Sequence, residues 1–164
     1  MSPRPPFIIR AADVPEQVHA YPGSDEPQSA GRAIGKAAGL ERIGVHLERV
    51  PPGRRTSYPH AEENEEEFVY VIAGRIDAWI DGHLHRMEAG DFVAFPAGTG
   101  ICHTFINDGD EDALLLVGGE ASRRDSRVFY PRNPERHAQI GASRWWDEVP
   151  PRPQGPHDGR PKPR

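Results

Sequence analysis

Cysteine is nearly absent: Cys102 is the one cysteine in 164 residues, so no internal disulfide can form, which fits a reducing compartment. Long apolar runs are missing as well. The opening "MSPRPPFIIRAAD" holds three consecutive apolar residues, too few for a signal-peptide core, and no segment approaches the roughly 20 apolar residues of a membrane span. There is no basic excess. The formal charge is −5, which excludes the overall basic footprint of a nucleic-acid-binding domain. These absences predict a cytoplasmic protein with neither nucleic acid nor membrane as partner. What is plentiful is proline (18) and glycine (17), which disfavours long helices and favours turns and irregular ends.

The chain length suits one domain. Residues 1–41 read as an irregular segment with one short strand at Phe7–Arg10 and a helical turn in "GRAIGKAAGLERIG". From Ile43 the text changes. "IGVHLERV" alternates apolar and polar, the period of a half-buried strand. "EEFVYVIAG" is a continuous apolar strand closed by Gly74, and "RIDAWID" alternates again up to Asp81-Gly82, a two-residue hairpin signal. "HLHRMEAG", "DFVAFPAG", "ICHTFIND" and "DALLLVGGE" follow at regular spacing. Short strands with turn signals between them predict an all-β, antiparallel sandwich or barrel over residues 42–120. Residues 121–150 form an extension with a possible strand at "RVFYP", and the tryptophans of "RWWDEVP" are expected to pack on the barrel. Residues 151–164 carry Arg152, Arg160, Lys162 and Arg164 against Asp158 alone, the composition of a disordered basic tail.

In "YPHAEENEEEFVYVIAG" one histidine precedes five glutamates and a buried-looking strand. His60 and Glu62 are two apart and share a face on an extended chain, and Glu67 opens the apolar strand. Downstream, "GDFVAFPAGTGICHTFIN" supplies His103. A divalent ion needs three or four N and O donors converging from separate segments, and antiparallel strands bring such residues together at a barrel mouth. Glu63, Glu65 and Glu66 read as a solvated loop. His83 and His85 read as exposed, His19, His46, His137 and His157 as structural or surface residues, Cys102 as a buried apolar side chain, and Trp79 as core or interface.

These residues resemble the two motifs of the cupin superfamily. The first, G-x5-H-x-H-x3–4-E-x6-G, is matched by Gly53, His60, Glu62, Glu67 and Gly74; the second, G-x5-P-x-G-x2-H-x3-N, by Gly90, Pro96, Gly98, His103 and Asn107. The gap before His60 is one residue longer than the pattern, that before His103 is two longer, and Glu62 stands where the family has a second histidine. The resemblance implies a double-stranded β-helix, or jelly roll, with a metal at its mouth. His60, Glu67 and His103 carry over as ligands. Glu62 either ligates as a fourth donor or acts as a base beside the metal. The implied ion is zinc, manganese or iron, with zinc slightly ahead. Val69 and Val71 share Glu67's face and Phe105 shares that of His103, so these three should line an apolar substrate pocket. Arg75, with Arg54 and Arg55, is the basic residue available near the motifs. The wording "FPAGTGICHTFIN" is similar to small bacterial cupins labelled sugar-phosphate isomerases. Isomerase or epimerase chemistry on a small polar molecule is therefore the leading expectation. Fe(II) dioxygenation and non-catalytic binding of a small molecule are the alternatives. Exposed sheet edges are a liability when left bare, and a homodimer is expected.

Overall fold

A computed structural model of the chain describes residues 3–121 and 125–163. The strands are β1 (Gln17–Val18), β2 (Ala30–Arg32), β3 (Ile43–Val50), β4 (Arg54–Arg55), β5 (Ala61–Glu62), β6 (Glu67–Ala73), β7 (Arg75–Ile80), β8 (His83–Glu88), β9 (Phe92–Phe95), β10 (His103–Asn107), β11 (Ala113–Glu120) and β12 (Val128–Phe129). Two short helices join them, α1 (Ile34–Ala37) and α2 (Arg136–Ile140). Six strands form one sheet in the order β1-β2-β3-β11-β6-β9, four form a second in the order β4-β10-β7-β8, and β12 pairs with β5. All of these strand pairs are antiparallel. No helix among the described residues is long and apolar enough to cross a membrane.

Alternation decides what each strand buries. Along β6, Val69 and Val71 point inward while Tyr70 and Ile72 are exposed. Their inner face meets Ile76, Ala78 and Met87 of the second sheet, with Phe105, Leu115 and Val50 completing the core between the layers. The β7–β8 turn has positive φ at both Asp81 (47°) and Gly82 (86°), the pair of left-handed residues that the tightest hairpin requires.

The two ends differ from their sequence expectations. No strand forms at Phe7–Arg10. Phe7 and Ile8 are exposed, and the segment runs into a 3₁₀ turn at Ala11–Asp13. The sheet instead begins earlier than residue 42, because β2 pairs with β3. Residues 151–163 lie along the barrel in spite of their tail-like composition. Gly155 N donates to Asp81 O (2.6 Å), His157 N to Gly82 O (3.1 Å), and the Trp79 indole to His157 O (3.0 Å). Frequent prolines lower the entropy this segment loses on docking. Together with Trp146, which packs on Trp79 and Ile106, the C-terminal segments cover the outer face of the four-stranded sheet.

Candidate metal centre

Three chain segments deliver three donors to one point. His60 precedes β5 and forms a narrow bridge with His103 at the start of β10: His60 N donates to His103 O (3.1 Å) and His103 N to His60 O (2.9 Å). Glu67 opens β6 on the inward face. Glu67 Oε2 lies 3.0 Å from His103 Nε2 and 3.5 Å from His60 Nε2. The three ligating atoms all fall within 4.8 Å of one another. Zinc makes bonds of about 2.0–2.2 Å to nitrogen and oxygen, so atoms bound to one ion lie no more than about 4.4 Å apart, and the Glu67–histidine separations of 3.0 and 3.5 Å fall inside that limit.

The rings are oriented from behind. His60 Nδ1 is 2.9 Å from Tyr58 O, and His103 Nδ1 is 3.3 Å from Ile101 O. With a metal bound at Nε2, an Nδ1–H donated to each of these carbonyls would fix the tautomer, the arrangement of metal-ligating histidines. Phe95 stacks on the His103 ring with centroids 3.6 Å apart and holds its plane.

The electrostatics fit a cation. Burial opposes the Glu67 charge, but hydrogen bonds from His103 and His60 outweigh it and hold this carboxyl far below the usual range. Burial also opposes charge on His60, yet Glu67 keeps its pKa up at about 10. His103 is pushed below the ordinary histidine value by burial and by His60. At neutral pH the metal-free centre therefore holds one positive charge, on His60, where an ion would sit.

A stability profile follows, with the sign set by which state holds more protons. Glu67's contribution is present above the ordinary carboxylate value of 4.5 and is lost as pH falls through its depressed pKa. Below 6.5, His103 adds to the acid-side loss, because the unfolded chain takes up a proton that native His103 resists. His60's contribution is complete below 6.5 and fades as pH rises toward about 10. Thermal melts in chelator from pH 4 to 10 should therefore peak near 6.5, and Glu67→Gln should flatten both flanks. A profile that is the same in wild type and Glu67→Gln would contradict this coupling.

Beside the triad is a cavity of about 100 Å³, lined by Val69, Phe105 and Val117 on its apolar side and by Glu48, Thr56 and Ser57 on its polar side. Val69 and Phe105 stand where the sequence placed them. Val71 does not line it; it is fully buried deeper in the core. Arg75 is also elsewhere, 70% exposed, paired with Glu88, and lining a separate hollow with Asp77 and Arg86. It follows Gly74 at the opposite end of β6 from Glu67, roughly 25 Å away at ~3.3 Å per residue. Arg55 is buried and committed to Glu26 through two contacts of 2.7 Å, and Arg54 reaches toward Gln28 O. No lysine or arginine is found among the described residues lining this cavity.

Glu62 does not join the three donors. Its Oε2 accepts a hydrogen bond from Ser126 Oγ (3.2 Å), and burial raises its pKa to about 7 against the opposing charge of His60. Ser126 approaches because β12 pairs with β5, a contact that local sequence does not announce. Cys102 faces the outer cluster with Trp79, and burial pushes its thiol up to about 12. The sequence reading missed Glu48. The signal was there: Glu48 lies two residues before the fully buried Val50 on β3 and so shares its inward face.

Comparison with known proteins agrees with this geometry. The family model described as the cupin domain matches residues 46–119. A crystal structure from Acidithiobacillus ferrooxidans, provisionally labelled a sugar phosphate isomerase, is 30% identical with a TM-score of 0.67, and the match covers 78% of this chain and 83% of that one. The chain belongs to the cupin superfamily. Among curated relatives, "Polyketide synthase CurC" of Streptomyces cyaneus is 34% identical over 83 residues, covering 51% of this chain and 49% of that protein. The chain spans about half the length of the curated relatives it matches. The polyketide cyclase RemF of Streptomyces resistomycificus shares the fold, at 21% identity and a TM-score of 0.62 over 89% of this chain and all of that one.

Proposed function

We propose that this cupin is a metal-dependent enzyme that moves protons on a small, oxygen-rich substrate, in an isomerisation, epimerisation or cyclisation. The observation that carries the reading is the convergence of His60 Nε2, Glu67 Oε2 and His103 Nε2 beside a small cavity with apolar walls. A divalent ion held by His60, Glu67 and His103, zinc ahead of manganese and iron, would polarise a substrate carbonyl. The protein's own part is positional and protolytic. Tyr58 O and Ile101 O hold the imidazoles, and Val69, Phe105 and Val117 limit water. Glu62, two residues from His60 and close enough for His60 and Glu67 to act on its charge, is the proton carrier. The label of the Acidithiobacillus protein supports isomerase chemistry, and the polyketide names support cyclisation.

Deuterium exchange tests it. Metal-loaded protein incubated in D₂O with a panel of keto sugars and their phosphates, and of β-keto thioesters, should place deuterium on carbon next to a carbonyl. Glu62→Gln should slow that exchange about 10²–10⁴-fold with metal content unchanged. Exchange that survives Glu62→Gln assigns the proton elsewhere. A second reading has one observation behind it: with Glu62 outside the donor set, two histidines and one carboxylate are the facial triad of Fe(II) oxygenases. Oxygen uptake by the iron-loaded protein, without deuterium incorporation, would favour that reading.

The working unit is proposed to be a homodimer in the cytoplasm. The six-stranded sheet leaves Phe92 (61% exposed), Ile43 (52%), Tyr70 and Ile72 open on its outer face, an apolar surface that a second copy would cover. Light scattering at tens of micromolar should give twice the 18.2 kDa chain mass, and Phe92→Glu should halve it. A monomeric mass for the wild type would sink the dimer.

A further inference from the structure

On the outer side of the barrel, beside Cys102, a buried carboxylate joins three chain segments. Asp81 is 6% exposed. Its Oδ1 accepts a hydrogen bond from Cys102 N (2.9 Å) and a longer one from Gln154 Nε2 (3.3 Å), and its Oδ2 takes Arg152 Nε at 2.5 Å. The main chain is tied as well: Asp81 N donates to Cys102 O (2.9 Å), and Gly155 N to Asp81 O (2.6 Å). We propose that Asp81, clamped by residues 149–155, is a positioning residue of the metal centre and sets where His103 enters it. The inference rests on the metal-site reading.

The hairpin alone does not call for this residue. Position 81 has φ 47°, which glycine and asparagine adopt at least as readily as aspartate. Turn geometry therefore leaves a buried carboxylate unexplained, and burying a charge is costly unless it is paired and hydrogen-bonded. The partners account for it. Arg152 supplies the opposite charge, and Cys102 is the residue next to a candidate ligand.

The approach to His103 needs such a fixture. Between Gly98 and His103 the chain carries two residues more than the motif, and a longer loop has more freedom to lose. Ile101 O lies 3.3 Å from His103 Nδ1, so a shift of the Ile101–Cys102 backbone moves both the ligand and the group that orients it. The C-terminal segment closes on the same stretch. A Cβ at Gly100 would stand 2.9 Å from Pro150 O, and Val149 packs against the cluster that contains Cys102. Further on, Gly159 lies against Pro59, the residue before His60, and Gly159 O accepts from Arg55 Nη1 (2.6 Å). One segment thus backs the approach to both histidines.

Asp81→Gly tests the proposal, because glycine keeps the left-handed turn and removes the carboxylate. Zinc affinity is read on the full chain by competition against a chromophoric chelator, and ligand geometry by the visible spectrum of the cobalt-loaded protein. Asp81→Gly should bind zinc about 10-fold more weakly, the lower end of what losing a group behind a ligand costs, and its cobalt bands should shift. Asp81→Asn, which keeps an oxygen for Cys102 N, should recover most of that loss. Arg152→Gln, which loosens the clamp from the other side, should weaken zinc in the same direction, and it carries the test if Asp81→Gly fails to fold. Ile76→Ala is the control for lost stability: Ile76 is buried at the end of β7 away from His103, and this variant should melt lower than wild type with zinc affinity and cobalt bands unchanged. Undiminished zinc affinity in Asp81→Gly, or an equal loss in Ile76→Ala, would overturn the proposal. Unchanged affinity in Arg152→Gln would overturn the clamp's part in it. A wild type that takes up no zinc sinks the metal reading and this inference with it, whereas a wild type that binds zinc beside an unaffected Asp81→Gly sinks this inference alone.

Discussion

Glu67→Gln should weaken zinc binding by more than ~100-fold, beyond the 10–100-fold typical of changes that merely touch a ligand's supporting partner. Glu67 is the one carboxylate among the three converging donors, and glutamine replaces it at nearly the same volume without charge. The glutamine amide would also turn either a neutral oxygen or an N–H toward His60 Nε2 and His103 Nε2, which now face Glu67 Oε2 at 3.5 and 3.0 Å. Competition against a chromophoric chelator at pH 7.5 measures the change. His60 gives up a proton when an ion replaces it, so wild-type affinity should rise with pH through the neutral range and level off toward about 10. Undiminished affinity in Glu67→Gln would place the ion elsewhere.

Trp79→Ala should be the most destabilising single change on the outer side of the barrel. Trp79 is fully buried, packs with Ile106, Cys102 and Trp146, and donates its indole N–H to His157 O. Truncating a buried tryptophan costs about 3–5 kcal/mol. For a chain of this size that is a fall of roughly 6–20 °C in melting temperature. The C-terminal segment should then become the first site of proteolysis. Trp79→Phe keeps most of the packing and loses the hydrogen bond, so it should fall between the two. A melting temperature for Trp79→Ala within a degree of wild type would mean that residues 151–163 do not depend on this face.

The parts of this molecule that short-range physics decides were legible in the sequence. Ile43–Val50 forms as a strand over the very span where apolar and polar residues alternate, and Asp81-Gly82 takes the two left-handed conformations its composition favours. His60, Glu67 and His103 were legible as candidates because motif spacing registers where three chain segments meet. What was not legible depends on distant contacts. Glu62 is held by Ser126, which arrives through the β5–β12 pairing. The proline-rich end docks because Asp81, Gly82 and Trp79 present hydrogen-bonding groups that composition cannot reveal. Arg75 is near the first motif in sequence but at the far end of its strand. Glu48 was visible in principle, since β3's inward face is fixed by Val50, but a strand read only for its period does not say which side is inside.

The central claim is that His60, Glu67 and His103 hold a metal ion. Metal content by plasma mass spectrometry, on untagged protein purified without chelator and again after reconstitution, tests it most directly, with His103→Ala alongside. The account predicts close to one divalent ion per chain in the wild type and less than a tenth of that in His103→Ala. No bound ion in the wild type after reconstitution, or an ion retained in His103→Ala, would contradict it.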